Sequence, residues 1–193
     1  MATTTRIGMP LDEFNEAQNQ QSFELIEGER IPKLPNVFGH SKTIRALFRA
    51  LDSFTHTNHL GEVFAETTFI KPENFDRFWV TGSRIPDMMF YSAERFANYE
   101  ANTPQAEGNP LALVPDLVVE VISPSDKYSD IDKKVDIYLQ DGVRLIWLLD
   151  FELRKAAVHA ASRPQPLRLT GDAVLDGEDV IPGFQIVLSS LFE

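Results

Sequence analysis

The amino-acid sequence predicts an α/β or α+β fold built on a mixed β-sheet. Residues 117–123 form a nearly continuous apolar run, which is typical of a strand covered on both faces. Residues 144–150 form a second such run, and the segment between them, 129–142, has the spacing of an amphipathic helix. This alternation of buried strands with a helix indicates a sheet flanked by helices.

The first part of the chain predicts two helices and a hairpin. Pro10 suits the first turn of a short helix over 11–18, because its missing N–H costs little there. Two short strands are predicted within 22–31, on either side of a turn at Gly28. A long helix is predicted over 38–54. Its apolar side chains recur at helical spacing and form one buried stripe: Ile44, Leu47, Phe48, Leu51 and Phe54.

The middle of the chain predicts two strands and a loop. The strands are 61–70 and 83–92, and the turn-rich stretch 71–82 separates them. Residues 98–109 are polar and include Pro104 and Gly108, so they are predicted to form a mobile surface loop.

The C-terminal part predicts a hairpin and a short tail. Gly142 ends the helix over 129–142 as a left-handed cap. Residues 153–161 are predicted to pair with the strand 144–150 as an edge strand that carries His159. Since no linker or repeat divides the chain, we predict one domain over residues 1–193.

Composition excludes several classes of protein. The chain has 18 Lys and Arg against 29 Asp and Glu, a net charge of −11, and no cysteine. Disulfides, thiolate metal sites and cysteine nucleophiles are therefore excluded. No apolar run approaches the roughly 18 residues that span a bilayer, and the start lacks a secretion signal, so we expect a cytoplasmic protein without a membrane partner. The net negative charge argues against nucleic-acid binding over a large part of the surface, but it does not exclude a local basic groove.

Two carboxylates stand where a core is expected. Glu120 interrupts the apolar run 117–122 and shares a strand face with Val118 and Ile122. A buried carboxylate is costly unless a cation pairs with it, and that cation is either a Lys or Arg side chain or a metal ion. Asp87 begins a strand rich in Met and aromatic residues. Alone it is typical of a turn, but two carboxylates on adjacent strands would suit Mg²⁺.

Asp116 is a weaker candidate than either of these. On an extended strand it would share a face with Glu120 but lie about 13 Å from it. That distance is too large for both to bind one ion. We therefore interpret Asp116 as a residue that begins the strand.

A lysine is expected to complete the site. Ile131, Val135 and Tyr138 mark the buried face of the helix over 129–142. Lys133 falls nearly opposite that face. Lys134 falls at its edge, roughly 85° from its centre, where a long side chain can reach back over the sheet. Asp130 lies one turn before Lys134 and could orient it.

These residues belong to a set of motifs that resembles a known family. The motifs are FELIEGE at 23–29, His40 at the start of the long helix, RIPDMMFYS at 84–92, PDLVVEVISPS at 115–125, Asp130, Lys134 and Tyr138 at spacings of four, DGVRLIWLLD at 141–150, and IPGFQIVLSSLF at 181–192. In this order, over nearly the whole chain, they resemble the Uma-two family of restriction-endonuclease-like proteins. That family belongs to the PD-(D/E)XK nuclease superfamily.

The resemblance implies a restriction-endonuclease-like fold, with a mixed sheet flanked by helices. It also implies that Asp87 is the Asp of the motif and Glu120 its (D/E), so that the visible Pro115-Asp116 pair is a decoy. The superfamily's plain motif has Lys two residues after the acidic residue, where this chain has Ile122. In the Uma-two pattern the lysine comes from the following helix, which matches Lys134.

The resemblance implies metal-assisted hydrolysis of a phosphodiester. Asp87, Glu120 and the carbonyl of Val121 would hold Mg²⁺ or Mn²⁺. Lys134 would orient the attacking water and offset charge in the transition state. His40, Glu24 and Asp130 would form the outer shell around these groups.

Three functions follow from this set of residues. The first is a Mg²⁺-dependent DNA endonuclease acting as a homodimer, since duplex cleavage needs two sites. The second is a catalytically inactive nuclease-fold module that binds DNA or a protein partner, which the acidic charge favours. The third is a nuclease acting on RNA or branched DNA. A basic strip beside the site would favour a nucleic-acid substrate, and the candidates for it are Arg45, Arg49, Arg84, Lys127 and Lys133.

Overall fold

A computed structural model describes residues 6–76, 78–103, 108–123 and 126–193. In this part of the chain the α-helices are α1 (Leu11–Gln20), α2 (Phe38–Thr57), α3 (Ala93–Asn102) and α4 (Tyr128–Asp141). The strands are β1 (Met9–Pro10), β2 (Phe23–Ile26), β3 (Glu29–Pro32), β4 (Gly61–Ala65), β5 (Phe75–Asp76), β6 (Trp79–Val80), β7 (Met88–Ser92), β8 (Leu117–Ile122), β9 (Leu145–Asp150), β10 (Lys155–Ala160), β11 (Leu167–Thr170), β12 (Val174–Asp176) and β13 (Gln185–Val187). Short 3₁₀ helices occupy Pro72–Asn74 and Leu188–Phe192.

The chain divides into two compact units. The first comprises Met1–Pro35, Thr68–Ile85 and Pro104–Val114, and the second comprises Asn36–Thr67, Pro86–Thr103 and Pro115–Glu193. The single domain expected over 1–193 stays a prediction.

The first unit consists of helix α1 and two small sheets. One sheet has the order β1-β6-β5, and the other is the β2-β3 hairpin, which turns at Gly28 as predicted. Its core side chains are Met9, Phe14, Phe23, Leu25, Ile70 and Val80.

The second unit is built on a six-stranded sheet with the order β11-β10-β9-β8-β7-β4. Strands β8 and β9 are parallel, and all other neighbours in this sheet are antiparallel. Helix α4 makes the crossover between the parallel pair, since parallel neighbours cannot be joined by a tight turn. The predicted α/β fold with a mixed sheet and flanking helices is thus confirmed.

The two faces of strand β8 have different neighbours. Leu117, Val119 and Val121 belong to the main core, together with Trp147 from β9 and Leu47 from helix α2. Residues on the other face of β8 lie toward α4. The strand is therefore covered on both faces, as its continuous apolar run predicts.

Several elements differ from the sequence expectations. Of the predicted strand 83–92, only Met88–Ser92 belongs to β7. Residues 98–102, predicted as loop, form the end of helix α3, whose Phe96 packs on Phe64 and Tyr91. Residues 104–107 of the predicted loop lie outside the described part. The turn-rich stretch 71–82 contains β5 and β6. The predicted strand 61–70 is paired only as far as Ala65. The strand carrying His159 is β10, which is not an edge, because β11 pairs with its outer side.

In the described part of the chain, no helix combines the length and the apolar character needed to cross a membrane.

Candidate functional site

The pairing of β7 with β8 brings the backbones of the two predicted acidic residues close together. Met88 lies opposite Val119 in this antiparallel pair. Asp87 directly precedes Met88, and Glu120 directly follows Val119, so the register places the two acidic residues side by side at one end of the pairing. Two carboxylates on adjacent strands are the arrangement that the sequence suggested.

Asp87 is held in place by a backbone group and a histidine. Its side chain is buried, with 3% of its surface exposed. Oδ2 accepts a hydrogen bond from the Val121 N–H at 2.7 Å and lies 3.1 Å from His40 Nε2. Because both partners come from well-packed elements, β8 and α2, the carboxylate has a fixed position. His40 is thus the buried neighbour of Asp87 that the family resemblance places in the outer shell.

His40 lies in the first turn of helix α2 and is 3% exposed. With Nε2 facing a carboxylate, the tautomer that fits is the one in which Nε2 carries the proton. Nδ1 is then buried, and no group in the described part of the chain hydrogen-bonds to it. The imidazole is therefore oriented by Asp87.

Glu120 faces helix α4, where two side chains meet its carboxylate. The Tyr138 hydroxyl donates a hydrogen bond to Oε1 at 2.5 Å, and Lys134 Nζ lies 3.3 Å from the same oxygen. Lys134 and Tyr138 are one helical turn apart and so share a face of α4. Helix α4 thus places a cation and a hydroxyl against the carboxylate of Glu120 in strand β8.

The helix phase distinguishes the two neighbouring lysines as expected. The side chain of Lys134 is 33% exposed and reaches Glu120, whose side chain is 12% exposed. Lys133 is fully on the solvent side. The long apolar stem of Lys134 covers the edge of the helix–sheet contact while its ammonium meets the carboxylate.

A small cavity lies beside Glu120 and Lys134. Its volume is about 70 Å³, enough for a few water molecules or an ion with part of its water shell. The lining side chains belong to β8, β9 and the region of α4: Glu120, Val121, Ile122, Asp126, Asp130, Ile131, Lys134 and Leu148. Asp130, expected in the outer shell, is therefore a wall of this cavity.

Comparisons with known proteins identify the family. Residues 11–189 match the sequence model of the family described as "Uma2: Putative restriction endonuclease". The chain belongs to the Uma2 family. The resemblance predicted from the motifs is thereby confirmed, and membership of this family supports a nuclease-like function for the chain.

One solved structure shows the same fold as this Uma2 chain. It is the crystal structure of "a putative nuclease belonging to DUF820" from Anabaena variabilis ATCC 29413, with a TM-score of 0.75. The similarity covers 95% of this chain and 97% of that chain, at 20% sequence identity, and at that identity it shows the fold alone. No curated protein matches the chain.

The oxygen atoms of the site fit a hard divalent cation. Among the described residues, no group of three or more His, Asp or Glu could hold a metal ion. Mg²⁺ does not require such a group, because it keeps several waters and binds through one or two carboxylates together with substrate phosphates. Asp87 and Glu120 are carboxylates on paired strands, and a strand carbonyl such as that of Val121 is also an oxygen ligand. Binding of a metal ion by these groups stays a prediction.

Glu24 has a structural partner within the first unit of this Uma2 chain. Its side chain is buried, and Oε1 accepts a hydrogen bond from the Ile85 N–H at 3.0 Å. Ile85 lies two residues before Asp87 in the sequence. This bond joins Glu24 to another segment of the first unit, and its place in an outer shell stays a prediction.

Tyr138 was placed by the sequence on the buried face of the helix and among the family motifs, but it was given no role beside Glu120. Its ring is buried, which agrees with that assignment, but its hydroxyl contacts Glu120. The available signal was the polar atom itself, since a buried tyrosine hydroxyl usually finds a partner. A helix face that carries Tyr138 one turn after Lys134 could have been matched to the carboxylate on the preceding strand.

Asp116 has the structural role that the sequence assigned to it. Oδ2 accepts a hydrogen bond from the Ser92 N–H at 2.9 Å, and Oδ1 lies 2.7 Å from Arg95 and 3.5 Å from Arg144. The carboxylate is 1% exposed, so these partners offset the cost of burying its charge. It ties the start of β8 to β7, α3 and the start of β9.

We expect the Asp116→Ala variant to lose stability. It removes the acceptor of the Ser92 N–H and two ion pairs from a buried position, so we expect a loss of about 2 kcal/mol in the free energy of unfolding. Asp179→Ala is the matched control, since Asp179 pairs with the same Arg144 at 2.7 Å but is 82% exposed. Urea unfolding measures both variants, and a loss for Asp179→Ala as large as that for Asp116→Ala would contradict the structural role.

Proposed function

We propose that this Uma2 chain is a metal-dependent DNA endonuclease that hydrolyses phosphodiester bonds at a PD-(D/E)XK-type site. The observation that carries the proposal is the placement of Lys134 Nζ 3.3 Å from Glu120 Oε1, with Asp87 adjacent on the neighbouring strand. The set Asp87, Glu120 and Lys134 supplies two anionic oxygen ligands and one cation at a single strand end. Family membership supports the same reaction class.

Each side chain has a distinct task in this proposal. Asp87 and Glu120, with the carbonyl of Val121, would hold Mg²⁺ or Mn²⁺. When bound, such an ion polarises the scissile phosphate and lowers the pKa of an attacking water. Lys134 holds that water through its ammonium N–H groups and offsets the negative charge that develops on phosphate oxygens.

Two further residues position the carboxylates. His40 orients Asp87 from helix α2, and Tyr138 orients Glu120 from helix α4. Outer partners of this kind fix the direction of a ligand and tune its basicity. The Val121 N–H does the same for Asp87 through the sheet.

The charged surface supports a nucleic-acid substrate only in part. Lys127 and Lys133, at the start and middle of α4, are exposed, as are Arg45 and Arg49 on α2. Arg84 is half-buried and donates to the carbonyls of Leu25 and Ser83, so it serves the first unit instead of a basic strip. The homodimer and the cytoplasmic location stay predictions, and sedimentation of the purified chain tests the first of them.

Cleavage of supercoiled plasmid tests the proposed function. Wild type should nick the plasmid with Mg²⁺ or Mn²⁺, and EDTA, Asp87→Ala and Glu120→Ala should each abolish nicking. If wild type binds Mn²⁺ by calorimetry but does not cut, the site exists and plasmid DNA is the wrong substrate. If it neither cuts nor binds Mn²⁺, the carboxylates are structural and the chain is a nuclease-fold binding module, as its net charge of −11 would then favour.

We expect Tyr138→Phe to weaken the site while preserving the fold. The variant keeps the buried ring and removes only the hydroxyl that donates to Glu120. Loss of an outer partner costs about tenfold in metal affinity or activity. Calorimetry with Mn²⁺ and nicking rates measure the effect, and Tyr99→Phe on helix α3 is the control. Wild-type values in both assays would show that the hydroxyl has no positioning role.

A further inference from the structure

A second, larger cavity adjoins the candidate site within the second unit. Its volume is about 590 Å³, within the range of pockets that bind small molecules. It shares four wall residues with the cavity beside Glu120, namely Ile122, Asp126, Ile131 and Leu148. Its remaining walls come from the start of α4 and from β10 and β11. A group bound here would therefore be directly continuous with a phosphodiester bound at Glu120.

The walls combine apolar side chains with hydrogen-bonding groups, so they suit a ligand group that has both apolar surface and polar atoms. Apolar side chains come from β8, β9, β10 and β11: Ile122, Leu148, Ala156 and Leu169. Polar groups of several kinds surround them, namely Asp126, Asp132, Asp150, Lys155, His159, Gln165 and Arg168. With two cationic side chains and three carboxylates the balance is close to neutral. A run of phosphates would need a basic channel, so this cavity suits an uncharged part of a ligand.

Two of the three carboxylates are already used by the backbone. Asp126 accepts a hydrogen bond from the Ser123 N–H at 2.7 Å, and Asp150 accepts one from the Leu153 N–H at 2.8 Å. Asp150 also lies 3.9 Å from Lys155. These contacts partly offset the negative charge of the two carboxylates, so the cavity can hold an uncharged group such as a nucleobase.

His159 supplies a neutral hydrogen-bonding group on the wall. It is half-buried on β10, and burial is the main cause that lowers its pKa below the usual 6.5. Arg168 and Arg163 lower this pKa further, while Asp132 and Asp136 raise it. At neutral pH the ring is uncharged and offers one N–H donor and one nitrogen acceptor, the pair needed to bind the edge of a nucleobase.

Tyr128 places an exposed ring at the cavity. It is the first residue of α4, it lines the cavity, and the residue is 70% exposed. Exposed aromatic rings beside a strand-binding groove are the platforms on which unpaired bases stack.

We propose that this cavity receives an unpaired nucleobase of the DNA strand whose phosphodiester lies at Glu120. Tyr128 stacks on the base, and His159 hydrogen-bonds its edge. The inference rests on the proposed function and makes it more specific. The preferred substrate is single-stranded DNA, or DNA with unpaired nucleotides at the cleavage point, over a fully paired duplex.

Binding of a fluorescein-labelled single-stranded 12-mer, measured by anisotropy in EDTA, tests this. The wild-type chain should bind the single strand at least tenfold more tightly than the matched duplex. Tyr128→Ala should weaken single-strand binding about tenfold, as loss of one stacked base predicts. Tyr128→Phe should restore it, and His159→Ala should weaken it. Phe78→Ala, which removes another exposed aromatic ring, is the matched control and should bind as wild type does.

Three results would overturn the inference: equal binding of duplex and single strand, wild-type binding by Tyr128→Ala, or binding of a free deoxynucleoside monophosphate as tight as that of the 12-mer. The plasmid assay distinguishes a failure of this inference from a failure of the proposed function. If Tyr128→Ala loses single-strand binding and wild type never cuts, the cavity assignment stands without the nuclease. If cutting depends on Glu120 and binding is indifferent to Tyr128, the nuclease stands without the cavity assignment.

Discussion

Glu120→Gln should reduce nicking of plasmid DNA by on the order of 10³-fold while leaving the fold intact. The amide has the shape of the carboxylate, and its oxygen can still accept the hydrogen bond from Tyr138. What it lacks is the negative charge that holds a divalent cation. Lys134 loses its ionic partner, but a side chain that is 33% exposed can be hydrated instead, so we expect little change in the free energy of unfolding.

The matched control for this variant is Asp116→Asn. Both residues are poorly exposed carboxylates of the β8 segment, and both contact cationic side chains. Asp116→Asn should lower stability and leave the nicking rate per folded molecule unchanged, which is the reverse of the result for Glu120→Gln. Plasmid nicking with Mn²⁺, combined with urea unfolding, separates the two. If Glu120→Gln nicks at the wild-type rate, Glu120 is only the buried half of an ion pair.

The central part of the fold could be predicted because its signals are local and strong. The segments of β8 and β9 are so apolar that they had to be buried strands. Leu47 and Leu51 recur at the spacing of an α-helix and so predicted the buried face of α2. Helix α3 could not be predicted in the same way. It is polar over most of its length, and Phe96 packs on Tyr91 and on Phe64, the second of which is 32 residues away in the sequence.

The residues of the candidate site could be predicted where a charged side chain interrupts an apolar segment or lies at the edge of a buried helix face. Glu120 and Asp87 stood out as charges in apolar strands, and helix phase separated Lys134 from Lys133. The hydroxyl of Tyr138 gave no such signal, because its ring fits the core. The contact between His40 and Asp87 joins helix α2 to β7 across 47 residues, so only the three-dimensional register reveals it.

Lys134→Met should reduce the nicking rate by about 10²-fold, the second largest effect that we expect. Methionine keeps most of the apolar stem that covers the edge of α4, so the variant removes the ammonium with little loss of packing. A structural ion pair at this exposure contributes no more than about 1 kcal/mol to stability. A large loss of turnover with nearly unchanged unfolding would therefore assign Lys134 to the chemistry instead of to the fold.

Lys133→Met provides the comparison on the same helix. Lys133 is exposed on the other side of α4, so its loss can weaken DNA binding through the general field of the protein but should change kcat by less than about twofold. Measurement of kcat and KM for both variants in Mn²⁺ gives the decisive contrast, because a lysine that only attracts phosphate would raise KM and spare kcat. If the two variants behave alike, the contact of Lys134 with Glu120 is a neutralising ion pair, and the cation of the proposed site must be sought elsewhere in the chain.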